Sequence, residues 1–226
     1  MSMPVLALPP PLRNGDRLTR EEFLRRWEAM PEVKHAELIG GIVRMASPVS
    51  AFHKDFQFSM NVWLGSYIPA TPGCGGGANG TWLMAPNEVP QPDLDFRILP
   101  EYGGQSRVEG AYAAGAPDLV IEVSQTTSVK DAGAKLRLYE SCGVREYLIV
   151  RPERRQAAWR ELFEGKYREI APDKDGVLRS RVFPGLWLDT EALWDSDFAR
   201  LQATVQRGLA TAGHREFVER LQRAKR

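Results

Sequence analysis

Only two cysteines, Cys74 and Cys142, occur in 226 residues. That scarcity excludes a disulfide framework and any zinc site built from paired cysteines, and leaves two free thiols suited to a reducing compartment. Long apolar runs are lacking as well. Tyr147–Val150, among the longest, extends for four residues, against the ~20 that a bilayer-spanning helix requires. The expectation is a soluble, cytoplasmic protein with no membrane partner. Residues 1–17 are proline-rich and show no charged leader before an apolar stretch, so they read as a loose arm and not as a signal peptide. Nor is charge of one sign in excess: 30 Lys plus Arg oppose 29 Asp plus Glu, for a formal net charge of +1. This excludes a polycation that holds nucleic acid by bulk charge, so any such contact must be local and directed. The balance is uneven inside the chain. Residues 195–226 hold seven basic and four acidic residues, hence +3, which leaves −2 for the rest. What is present is a globular composition, 43% hydrophobic with six Trp and nine Phe. It suits one large domain, or one domain with an appendage.

Punctuation and periodicity divide the chain. Thr19-Arg-Glu-Glu22 reads as a capping box opening a helix from Arg20 to Met30, with Phe23, Leu24 and Trp27 buried. Ala36–Met45 holds two apolar runs about Gly40-Gly41, the signature of a tight hairpin. Ser50 caps a second helix running to Tyr67, whose Phe52, Phe56, Met60, Trp63, Leu64 and Tyr67 recur at helical spacing and read as core. Residues 69–80, with Gly73-Cys-Gly-Gly-Gly77, read as a flexible loop; no Gly-Lys-Ser/Thr follows, so it is not a phosphate loop. Strands are expected at 81–85, 93–99 and 119–123. Thr126 or Thr127 caps a helix from Ser128 to Ser141, which Gly143 ends. Tyr147–Val150 suits the centre of a sheet. Gln156–Phe163 and Tyr167–Ile170 read as a second hairpin, 177–187 as a further strand, and 196–226 as helical with two apolar stripes.

Two phrases carry carboxylates where chemistry could use them: Pro92-Asp93-Leu-Asp95, and Pro117-Asp118-Leu-Val-Ile-Glu122-Val-Ser124. Strand alternation puts Leu119, Ile121 and Val123 on one face, and Val120, Glu122 and Ser124 on the other. A carboxylate such as Glu122 in an otherwise apolar strand is costly unless a metal ion, Lys or Arg compensates it. Asp93 and Glu122 suit the ends of two neighbouring strands presenting oxygens to one cation. On the following helix Asp131 and Lys135 are four apart and share a face. They are either an exposed pair worth about 0.3–0.5 kcal/mol, or Lys135 projects toward the strand ends to polarise a phosphate. Asp95, on the face of Asp93, is an auxiliary ligand or a salt-bridged structural residue. Asp118 reads as a turn or strand-start residue, and Tyr139 and Tyr147 as core.

The ordered set resembles the large bacterial family of Uma-type putative restriction endonucleases, within the PD-(D/E)XK nuclease superfamily. It comprises a Glu-Leu-Ile-x-Gly hairpin, a Ser-x-x-His helix, Pro-Asp, Pro-Asp-Leu-Val-Ile-Glu-Val, an Asp-x-x-x-Lys-x-x-x-Tyr helix and Gly-Val-x-Glu-Tyr-x-Ile-Val. The resemblance runs from about Leu18 to Trp194. It implies an α/β (α+β) fold, a mixed central sheet flanked by helices, with an added β-hairpin region and a C-terminal helical tail. The corresponding division is an arm at 1–17, a nuclease-like domain at 18–194 and a helical extension at 195–226. The resemblance further implies Asp93, Glu122 and Lys135 as catalytic residues. Mg²⁺ (or Mn²⁺) would be held by Asp93, Glu122 and the Val123 carbonyl. Glu37, His53 and Asp131 are possible auxiliaries; by their own sequence context Glu37 and His53 are equally ordinary polar residues. The superfamily's signature Lys sits two after the Glu, where this chain has Ser124; the helix Lys, here Lys135, matches the family's alternative placement.

The expected function is Mg²⁺-dependent hydrolysis of DNA phosphodiester bonds. The alternative is a catalytically inactive nuclease-fold module that binds DNA or protein. Lys130, Arg137, Arg145, Arg151 or the basic tail would supply positive field, unless they are only solvated surface. The partners expected are DNA and a second copy of the chain in a homodimer.

Overall fold

A computed structural model describes residues 9–45, 50–124 and 129–225. The Thr126/Thr127 cap and Ser128 lie outside the described residues, as do the side chains of Phe52, Lys130 and Asp131. Helix α1 (Arg20–Glu28) begins where Thr19 Oγ1 accepts from the Glu22 amide at 3.3 Å. The reciprocal arm of the expected capping box does not form, because the Glu22 carboxylate is taken by Arg25 and Arg26 at 2.8 and 2.6 Å. Strands β1 (Ala36–Ile39) and β2 (Ile42–Met45) make the expected hairpin. Gly40 and Gly41 both take positive φ, 59° and 73°, which this turn demands and side chains resist. Helix α2 (Ala51–Tyr67) follows, capped by Ser50 Oγ on the His53 amide at 3.1 Å.

The central sheet has six strands in the order β11-β10-β9-β8-β5-β3. These are β3 (Cys74–Ala78), β5 (Leu94–Ile98), β8 (Leu119–Val123), β9 (Glu146–Arg151), β10 (Gln156–Phe163) and β11 (Lys166–Glu169). Only β8 and β9 run parallel, joined by helix α3 (Val129–Cys142); the other neighbours are antiparallel. A small sheet of β4 (Trp82–Leu83), β7 (Tyr112–Ala114) and β6 (Arg107–Glu109) sits apart. The single strand expected at 177–187 is instead two, β12 (Val177–Arg179) and β13 (Trp187–Asp189), paired antiparallel. Helices α4 (Thr190–Trp194), α5 (Phe198–Leu209) and α6 (Ala212–Ala224) end the described chain. The helical region expected there is two helices, one for each apolar stripe, divided at Thr211, whose hydroxyl caps α6 through the His214 amide at 3.3 Å.

The Gly73–Gly77 segment is the main correction. It is the edge strand β3, paired along β5 from Cys74↔Ile98 to Ala78↔Leu94, and not a flexible loop. Glycine is required there by proximity. A Cβ on Gly76 would lie 2.7 Å from the Asp95 carbonyl oxygen, and one on Gly77 3.2 Å from Asp95 Oδ1. Low strand propensity hid this pairing, because the constraint comes from a strand about twenty residues away.

The two faces of the sheet bury different helices. Leu119, Ile121 and Val123 pack with Phe56, Met60, Trp63 and Tyr67 of α2. Val120, Tyr147 and Ile149 pack with Leu138 and Tyr139 of α3. The expected alternation in β8 is therefore observed, with Glu122 on the α3 face. Helix α5 packs on α2 and β13, and Leu201, Val205, Phe217 and Leu221 join the α2-side core. A third cluster holds α1 and the first hairpin together through Phe23, Leu38, Val43, Val89 and Ala114.

Candidate active site

The C-terminal end of β8 meets the start of β5, the first hairpin, α2 and α3. Asp93 sits in a bend just before β5 and is anchored three ways. Gln57 Nε2 and the Asn79 amide donate to its carbonyl at 2.8 and 3.2 Å. The Val123 amide donates to its Oδ2 at 2.7 Å. Its Oδ1 lies 3.3 Å from His53 Nε2, and this contact raises the His53 pKa above its ordinary value against the effect of burial.

Glu122 is 8% exposed. Lys135 Nζ donates to its Oε1 and Oε2 at 3.0 and 3.1 Å, and the Tyr139 hydroxyl donates to Oε1 at 2.6 Å. Lys135 also lies 3.0 Å from Glu37 Oε1, which accepts the Gln91 amide at 2.8 Å. Burial pushes the Glu122 carboxyl above its ordinary value; Lys135 opposes this, whereas the charges of Asp93 and Glu37 add to it. Burial alone would depress the Lys135 ammonium, but Glu122 and Glu37 more than offset that and hold it well above its ordinary value. Lys135 is therefore a firmly charged group.

The structure thus brings together Asp93, Glu122, Lys135, Glu37 and His53. Glu37, His53, Asp93 and Lys135, with Arg44, Gln57, Asn79 and Gln91, line one cleft of about 380 Å³. The reading of Asp131–Lys135 as a merely exposed pair does not describe Lys135, since its ammonium turns inward to two carboxylates. Asp95 does not join: its carboxylate accepts from Trp82 Nε1 at 3.1 Å and from Arg97 at 2.7 Å, the structural alternative. Asp118 is fully buried at the other end of β8, accepting the Ile98 amide at 2.8 Å. Arg145 pairs with Asp118, Arg137 lines a neighbouring groove, and Arg151 donates to Gln156, so these cations do not converge on the cleft.

Sequence reasoning missed Tyr139, Gln57 and Asn79. Tyr139 and Gln57 carried a usable signal: each is four residues beyond a candidate, Lys135 and His53, on the same helix face. Asn79, with positive φ at 55°, carried none.

Among the described residues no three histidine, cysteine, aspartate or glutamate side chains form a ready-made metal cage. Mg²⁺ does not need one, since it keeps several waters and takes one or two carboxylates plus substrate oxygens. The donor set suits it. Asp93 and Glu122 are carboxylates close enough that the charge of Asp93 raises the pKa of Glu122, a repulsion that a divalent ion between them would relieve.

The family model Uma2, described as "Putative restriction endonuclease", matches residues 20–191. Among solved structures, the chain is similar to a crystal structure of a putative nuclease belonging to DUF820 from Anabaena variabilis ATCC 29413. The TM-score is 0.58 at 15% identity, covering 83% of this chain and 99% of that one. No curated protein matches. Among the described residues no helix is long and apolar enough to cross a membrane.

Proposed function

Since the chain belongs to the Uma2 family of putative restriction endonucleases, we propose that it is a divalent-metal-dependent endonuclease that hydrolyses DNA phosphodiester bonds. The observation that carries this reading is the half-buried Glu122–Lys135–Glu37 cluster beside Asp93, at a strand end that opens to a cleft. Asp93 and Glu122 would hold Mg²⁺ or Mn²⁺ with retained waters, and the Val123 backbone lies against Asp93. A cation there would lower the pKa of a bound water and stabilise charge on the phosphate.

The chain's own groups have separable tasks. Lys135 donates toward charge that develops on the phosphate. Glu37 keeps the ammonium aimed and charged, and Tyr139 fixes one oxygen of Glu122. Gln57 and Asn79 hold the backbone of Asp93, while His53 steadies its outer oxygen. Lys135 supplies from α3 the cation that Ser124 cannot supply from the strand.

Plasmid nicking with Mg²⁺ or Mn²⁺ tests the reading. Wild type should nick, and Asp93→Ala and Lys135→Ala should each lose at least about 10²-fold. Equal residual activity in all three would assign the nicking to a contaminant and overturn the proposal. The second reading, a nuclease-fold binding module without catalysis, draws on Ser124 in place of the signature Lys. It is favoured if millimolar Mn²⁺ leaves the thermal midpoint unmoved.

A further inference from the structure

A second cleft, of about 520 Å³, lies at the N-terminal ends of the parallel strands β8 and β9, the end of the sheet away from Glu122. Three arginines from remote parts of the chain line it: Arg145 before β9, Arg181 after β12, and Arg220 on α6. Two of these positions are built from below by buried carboxylates. Asp118, fully buried, pairs with Arg145 at 3.2 Å. Glu146, also fully buried, accepts the Arg181 and Val182 amides at 2.6 and 3.1 Å and the Ser180 hydroxyl at 2.7 Å. Arg220 lies over the Phe217 ring, 5.1 Å from its centroid.

Beyond the Arg145–Asp118 pair, the charge of this cleft is not neutralised from within. Its acidic lining residue, Glu161, is paired with Arg168 at 2.8 Å. Arg181 and Arg220 make no ion pair among the described residues. Guanidinium groups offer planar, paired donors that match phosphate oxygens. The remaining wall is apolar, including Leu162, Val182 and Leu221, and the volume exceeds what a bare phosphate needs. We propose that this cleft binds a phosphate group, with Arg181 and Arg220 as its principal ligands and Arg145 as the anchored third. The group would be presented either as free phosphate or as the monoester of a nucleotide-sized molecule. This site is separate from the one at Asp93 and Glu122 and does not depend on its activity.

The test is binding to the full chain in EDTA at fixed ionic strength. Inorganic phosphate, a 5′-mononucleotide and the matching unphosphorylated nucleoside are titrated separately. The variants are Arg181→Gln/Arg220→Gln and, as an exposed charge control, Lys174→Gln. Saturable binding of phosphate or mononucleotide, weakened at least tenfold in the double variant but unchanged in the control, supports the site. Tighter binding of the mononucleotide than of phosphate identifies the monoester as ligand, and equal affinity identifies free phosphate. Binding equal in all three proteins, binding of the nucleoside as tight as the mononucleotide, or no saturation by about 10 mM overturns the proposal.

Discussion

At Glu122 three donor contacts act on one carboxylate, and they differ in kind. Lys135 neutralises charge, whereas Tyr139 only orients, through a 2.6 Å bond to a single oxygen. Hydrogen bonds to charged groups contribute about 1.5–3 kcal/mol. Tyr139→Phe should therefore lower unfolding free energy by that amount in urea titrations, and should also weaken the thermal stabilisation by Mn²⁺. A stability loss with an unaltered Mn²⁺ response would confine Tyr139 to packing. Glu122 was legible in the sequence because a carboxylate in an apolar strand is a local anomaly, whereas Lys135, an ordinary helix residue by its own context, stood out only through the family resemblance. Tyr139 was legible as a core residue on the face of Lys135, but its bond to Glu122 was not. Its hydroxyl partner lies 17 residues back on another element.

At the scale of elements, β8, α3 and β9 follow their local patterns closely, because alternation and helical period report burial directly. Strand β3 does not. Its five residues, Cys-Gly-Gly-Gly-Ala, have almost no side chains from which to read a period. The fit of Gly76 against the Asp95 carbonyl gives a test of that strand. Gly76→Ala should cost about 1–3 kcal/mol by forced displacement, measured by denaturant unfolding. An unchanged midpoint would mean that β3 does not pair as described. Strand β5 carries the consequence, since Asp93 enters it and must keep its place beside Val123. The position of Glu37 likewise depends on docking, not on local pattern. The bridge Leu38↔Val89 brings the first hairpin against residues 82–91 and so aims Glu37 at Lys135.

At the scale of the whole molecule, Glu146 is a buried carboxylate that, among the described residues, has no cation paired with it. Burial pushes Glu146 up to about 7, while the Ser180 hydroxyl and the Arg181 and Val182 amides pull the other way. The unfolded chain would titrate this group near 4.3. The native chain therefore holds the proton more tightly. Its contribution to stability is complete at low pH and is lost as pH rises through about 7. Between those values one such group supplies a slope of up to about 1.4 kcal/mol per pH unit. Urea unfolding at about pH 5, 6 and 7 should show wild-type stability declining, and Glu146→Gln should remove part of that decline. Parallel profiles for the two proteins would show that Glu146 does not titrate in this range.

The packing of α5 on α2 bears on the order of events during synthesis. Helix α2 carries His53 and Gln57, yet the face that seats it is completed by Leu201, Val205, Phe217 and Leu221, which leave the ribosome far later. A nascent chain would thus carry every cleft residue before it could hold them in register. Whatever the cleft cuts or grips, the chain gains that capacity only once residues 201–221 have emerged, a delay written into its connectivity.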